Sequence, residues 1–166
     1  MASVLFDDES LTLSARLAQH CRTRQYTLAT AESCTGGLLA GLMTHAPGAS
    51  DFFTHGYVVY ANRAKEDTLA IDKQLVQEHG AVSSQVATAM ARQAQRLAGS
   101  SLALSITGIA GPEGGTPDKP VGTVYVACAA AEVVEVHVRL LHLQGTRHTI
   151  RQQAIHAVLA LALAHC

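Results

Sequence analysis

The sequence predicts an α/β fold, a three-layer α/β/α sandwich built around one mixed sheet. Three observations predict it. Strand-like runs alternate with helical periodicity through the first two thirds of the chain, two strands follow in close succession near its end, and no repeat, low-complexity tract or linker interrupts the 166 residues. Hydrophobic residues make up 48% and charged residues 15%, so a single domain of this length can bury one core without disulfides or a structural metal.

Leu11, Leu13, Leu17 and Ala18 form an apolar stripe with Arg16, Gln19 and Arg22 off it, so a first helix runs from a cap at Ser10 or Thr12 to about Arg24. Residues 26–31 are short and β-prone. They run through the turn Glu32-Ser33-Cys34-Thr35-Gly36-Gly37 into a helix over residues 38–45. Residues 47–51 form a loop, residues 56–60 a second strand, and Asn62 caps the helix that carries Lys65. A short helical piece ends at His79-Gly80. Ser83 or Ser84 then opens a longer helix to Leu97, stopped by Gly99. Residues 102–107 are the third strand, and the four glycines and three prolines of residues 108–120 forbid regular structure. Residues 122–130 and 133–143 form an antiparallel hairpin, and Thr146 caps the last helix. Helices then cover both sheet faces, and a ligand belongs at the carboxyl ends of the strands, near Thr30, Tyr60 and Thr107.

Twelve basic residues against thirteen acidic ones give a net charge of -1, which provides no footprint for phosphodiester backbone or an anionic membrane. Nine histidines and the cysteines Cys21, Cys34, Cys128 and Cys166 show no metal-ligand spacing; His137 and His142, five apart in a strand, face opposite ways. No metal, nucleic-acid or membrane partner is expected. The acidic amino terminus does not read as a secretory signal, and the apolar run over residues 154–164 is too short to span a bilayer, so the expected setting is soluble, reducing and cytoplasmic.

Ser33 sits in a strand-to-helix turn where free amides and the helix start favour an oxyanion or phosphate; Thr35, Gly36 and Gly37 would supply those amides. Capping of the helix by Ser33 or Thr35 is the structural alternative. A serine nucleophile needs a base, and the chain offers no G-x-S-x-G elbow and no S-x-x-K beginning at Ser33, which leaves a histidine or a lysine for that role. Lys65 is a candidate if burial moves its pKa from ~10.4 to near 7, about 3 units; otherwise it is solvated beside Glu66 or Asp67. Tyr60 either donates to the nucleophile or leaving group or packs as an edge aromatic. Thr107 and the glycine loop from Gly108 can hold a polar group, and Arg147 can reach a phosphate or lie free in solvent.

The stretches Ala31-Glu32-Ser33-Cys34-Thr35-Gly36-Gly37, Tyr57-Val58-Val59-Tyr60-Ala61-Asn62-Arg63-Ala64-Lys65 and Ser105-Ile106-Thr107-Gly108-Ile109-Ala110-Gly111-Pro112, with Lys119-Pro120-Val121-Gly122-Thr123-Val124, together resemble the CinA C-terminal-domain family. That family includes the stand-alone nicotinamide mononucleotide deamidases. The resemblance covers the chain from about Leu11 onward and implies one amidohydrolase domain over residues 1–166. It implies hydrolysis of the carboxamide of nicotinamide mononucleotide to nicotinic acid mononucleotide and ammonia, in pyridine nucleotide salvage. Ser33 would be nucleophile, Lys65 base and Tyr60 helper, with Thr107 and Arg147 near the substrate. No cofactor is implied, and the partners implied are a small nucleotide and a second copy of the chain in a homodimer. Larger relatives carry a further amino-terminal domain for which this sequence leaves no residues. The competing readings are an amidase for another small amide, a nucleotide-binding module without turnover, and an interaction protein linked to DNA uptake.

Overall fold

The computed structural model describes residues 5–165. Residues 1–4, part of the acidic amino terminus, and Cys166 lie outside the described residues. Five strands, β1 (Leu28–Glu32), β2 (Phe53–Val58), β3 (Leu102–Gly108), β4 (Thr123–Ala130) and β5 (His137–His142), form one sheet in the order β2-β1-β3-β4-β5. β1 pairs in parallel with β2 and β3, while β4 is antiparallel to both β3 and β5. The mixed sheet and its helical layers are those the sequence predicts.

Six helices cover it: α1 (Asp8–Arg24), α2 (Leu38–Met43), α3 (Asn62–Leu69), α4 (Lys73–His79), α5 (Ser84–Ala98) and α6 (Arg147–His165). The two faces of the central strands differ in size. Leu28, Leu102, Leu104 and Ile106 pack under α1, α2 and α6, whereas Ala29, Ala31 and Ala103 pack under α3, α4 and α5. Small residues let α5 approach closely enough for Ser105 Oγ to donate to the Ala87 carbonyl at 2.7 Å. The alternation also sends consecutive side chains to opposite layers, which decides where Glu32 and Ser33 point.

Several boundaries depart from the sequence reading. α1 starts at Asp8 because Asp7, rather than Ser10 or Thr12, caps it by accepting from the Ser10 amide at 2.8 Å. Asn62 is the first residue of α3, not its cap. β2 starts three residues earlier and stops at Val58, since Val59 and Tyr60 turn their carbonyls toward Lys65. β5 begins at His137, not at residue 133: Arg92 of α5 donates to the carbonyls of Ala130, Val133 and Val134 at 2.8–3.0 Å, holding that stretch as a turn. Ser83 caps α5 and Gly99 stops it, as expected. No helix among the described residues is long and apolar enough to cross a membrane.

Candidate active site

β1 and β3 are neighbours, yet the chain leaves β1 toward β2 through α2 on one face and returns to β3 through α3, α4 and α5 on the other. Such a switch opens a crevice at the carboxyl ends of the strands. A cavity of about 260 Å³ lies there, walled by Ser33, Lys65, Thr107, Gly108, Glu113 and Arg147 among others.

Glu32 ends β1 with its side chain on the α2 face, fully buried. Its carboxylate accepts from the amides of Gly37 at 3.1 Å, Leu39 at 3.0 Å and Ala40 at 2.8 Å. This satisfies the amide donors that open α2, which have no partners within the helix. Gly37 takes φ +95° to make the bend. Ser33 is the next residue and continues the ladder through its amide to the Ile106 carbonyl at 2.9 Å. Its side chain therefore faces the α3 layer.

Lys65 comes one turn into α3 and points inward, 1% exposed. Its Nζ lies 3.1 Å from Ser33 Oγ, 2.9 Å from the Val59 carbonyl and 3.3 Å from the Tyr60 carbonyl. Pairing with Glu66 or Asp67 does not occur; Asp67 is bonded to Arg63 at 3.0 Å. Desolvation by burial lowers the Lys65 pKa from its ordinary 10.5. Burial also pushes the adjacent Cys34 thiol up to about 11, so that thiol is neutral at pH 7 and offers the amine no counter-charge. An ammonium has three N–H donors and meets three acceptors here; a neutral amine keeps two N–H groups on the carbonyls and turns its lone pair to the Ser33 hydroxyl.

The other expected site residues divide. Tyr60 serves the dyad through its carbonyl, not its hydroxyl: the ring is half exposed and its Oη accepts from Arg147 Nη2 at 2.8 Å. Arg147 also donates to the Gly111 carbonyl at 2.9 Å, which fixes it on the cavity wall. Thr107 is buried and donates to the Ala81 carbonyl at 2.8 Å, so its hydroxyl braces β3 against the turn between α4 and α5. Gly108 stands where a Cβ would meet the Val124 backbone at 2.8 Å. Thr35, Gly36 and Gly37 do not line the cavity. The Gly36 amide donates to the Ser33 carbonyl, the Gly37 amide to Glu32, and the Thr35 carbonyl accepts from Arg151 at 2.7 Å. The expected anion cradle on these residues is replaced by an internal brace, because the buried Glu32 carboxylate already occupies the helix start.

The family model described as CinA C-terminal domain matches residues 10–166. The chain belongs to this family. A CinA-like protein of Geotalea daltonii is 47% identical over 151 residues, 91% of this chain and 36% of that protein. Another, from Geobacter metallireducens, is 51% identical over 140 residues, 84% of this chain and 33% of that protein. The chain spans about a third of the length of these curated relatives. The crystal structure of competence/damage inducible protein CihA from Agrobacterium tumefaciens matches with a TM-score of 0.94 and 35% identity, covering 97% of this chain and 98% of that one. A CinA superfamily protein from Escherichia coli matches at 0.87 and 34%, covering 96% and 94%.

Within this CinA domain, sequence reasoning missed the braces: Glu32, Arg151 and the Val59 carbonyl. A signal for Glu32 was available, since a carboxylate that follows four β-prone residues and precedes a glycine-rich helix start by five positions is placed to cap it. Arg151 carries no such signal, lying 116 residues from its partner. Among the described residues no group of three His, Cys, Asp or Glu side chains is placed to hold a metal ion.

Proposed function

We propose that this CinA domain hydrolyses the carboxamide of nicotinamide mononucleotide to nicotinic acid mononucleotide and ammonia, through an acyl-enzyme on Ser33. The observation that carries this reading is the buried Lys65 Nζ at 3.1 Å from Ser33 Oγ, with no carboxylate paired to it among the described residues. A buried lysine held against a serine is the arrangement that makes a neutral amine a base.

Neutral Lys65 takes the Ser33 proton as Oγ bonds to the amide carbon. Backbone amides on the cavity wall, which Cys34, Ala110 and Gly111 line, receive the oxyanion. The C–N bond breaks as Lys65 returns its proton to the nitrogen, which leaves as ammonia. Water then attacks the ester, Lys65 accepts one water proton and passes it to Ser33 Oγ, and the acid is released. Arg147 is the phosphate ligand, held open toward the cavity by Gly111 and Tyr60. The reaction takes place in the cytoplasm, in a homodimer, with no metal in the chemistry.

The deciding experiment is ammonia release from nicotinamide mononucleotide by wild type and Lys65→Ala, with and without a chelator. Release that is chelator-resistant and lysine-dependent supports the reading. Loss of release on chelation overturns the mechanism. Wild-type binding without release reassigns the domain as a nucleotide-binding module, and release from other amides alone reassigns its substrate.

A further inference from the structure

The resting contacts of Lys65 suit the form that cannot act as a base. Three acceptors, the Val59 and Tyr60 carbonyls and Ser33 Oγ, match the three N–H groups of an ammonium. Burial opposes that charge, but the protein adds little else to expel the proton. From the β1 turn the amine faces Ser33 and the neutral Cys34 thiol. From the glycine loop the nearest charge on the cavity wall is the exposed Glu113, and from α6 it is Arg147, engaged by Gly111 and Tyr60 at the exposed rim. The Tyr60 phenol is occupied by Arg147, and Glu32 has both carboxylate oxygens on α2 amides. A cation arriving in the cavity is what this set of groups lacks.

The reaction itself brings one. A carboxamide carbon about 3–3.5 Å from Ser33 Oγ, on a ring whose charged nitrogen is two bonds from the carbon bearing it, puts that nitrogen roughly 5–9 Å from Lys65 Nζ. At an effective dielectric of about 20, a unit positive charge at that range favours the neutral amine by about one pH unit or more. The nucleotide phosphate opposes the ring charge, but beside Arg147 at the exposed rim it is screened by solvent.

We infer that the positive charge of the bound pyridinium ring drives the proton from Lys65, so that the site turns over carboxamides carried on a cationic ring in preference to neutral ones. This rests on the hydrolytic reading above and extends it to a substrate class. Arriving substrate converts the lysine from donor to base, and the free enzyme keeps its nucleophile idle.

The test compares nicotinamide mononucleotide with its carbon-linked benzamide analogue, which has the same phosphate and carboxamide but a neutral ring. With Ser33→Ala, which removes turnover and retains Lys65, titration calorimetry in two buffers of different ionisation enthalpy counts protons released on binding between about pH 6 and pH 9. The expected result is up to one more proton released with the cationic ligand than with the neutral one, and loss of that difference in Ser33→Ala/Lys65→Met. Both ligands carry the phosphate, so its own titration cancels. Equal release from both ligands, no release at any pH, or a difference that survives Lys65→Met overturns the inference. A second readout needs no variant: for the wild type acting on nicotinamide mononucleotide, the acid limb of kcat lies about one pH unit below that of kcat/KM. Coincident limbs overturn the inference while leaving the deamidase reading intact. Absence of ammonia release from nicotinamide mononucleotide removes both.

Discussion

The Val59 amide donates to the Glu32 carbonyl at 2.8 Å. Through that bond the residue before the nucleophile holds the strand that positions its base, because the Val59 carbonyl is in turn the shortest contact of Lys65 Nζ. Glu32 is thus common to both halves of the dyad: its side chain fixes the turn that presents Ser33, and its backbone fixes the acceptor that presents Lys65.

Removing this brace is expected to be severe. Glu32→Ala leaves the amides of Gly37, Leu39 and Ala40 without their acceptor, and buried unsatisfied donors cost ~1–3 kcal/mol each. Urea denaturation should show a loss of about 3 kcal/mol or more. A midpoint within error of wild type would show that α2 finds other acceptors.

Lys65 is expected to trade stability for chemistry. Its pKa is depressed by burial, so the unfolded chain binds more protons than the folded one between the folded value and about 10.5, and stability rises with pH across that window. Lys65→Met keeps the volume and removes the buried amine. It should raise Tm by ~2–4 °C, corresponding to about 1 kcal/mol, while lowering ammonia release by roughly a thousandfold. A lower Tm would mean that the three hydrogen bonds of the amine outweigh its burial.

The same direction of shift fixes the sign of the activity profile. A base works when neutral, so kcat/KM should climb as pH rises through the folded Lys65 value, with its limb below the ordinary 10.5. Rates that decline with rising pH through the neutral range would contradict a lysine base.

Arg147 is expected to act on the phosphate alone. Arg147→Ala should raise KM for nicotinamide mononucleotide by about 10- to 100-fold, the worth of a charge-assisted contact of ~1.5–3 kcal/mol. Hydrolysis of the unphosphorylated nucleoside should change by less than about threefold. Equal damage to both substrates would make Arg147 a brace for the glycine loop through Gly111 rather than an anion ligand.

Between α1 and α6, Asp7 caps α1 and lies 3.0 Å from His156 Nε2 of α6. Burial pushes its pKa up, but hydrogen bonds from Ser10 and His156 outweigh this and hold it below 3.8. Its contribution is therefore present above about pH 3.8 and is lost as pH falls through the folded value. Asp7→Ala should lower stability by about 1 kcal/mol at pH 7, and thermal melts of variant and wild type should converge in acid.

Much of this architecture could be read locally. Strand and helix periodicity, the stops at Gly80 and Gly99 and the caps at Ser83 and Thr146 depend on neighbours within a few residues. The family resemblance implied that Ser33 and Lys65 meet, and their side chains are 3.1 Å apart. What the chain order could not convey was which polar group each polar group meets. Whether Lys65 is solvated or buried depends on α3 folding back over β1, 32 residues away. The Tyr60 hydroxyl turned to Arg147, 87 residues on, and not to the nucleophile, and the amides of Gly36 and Gly37 went to the turn itself. Hydrogen bonds and desolvation act over a few ångströms in space irrespective of separation along the chain, so only the tertiary structure decided them.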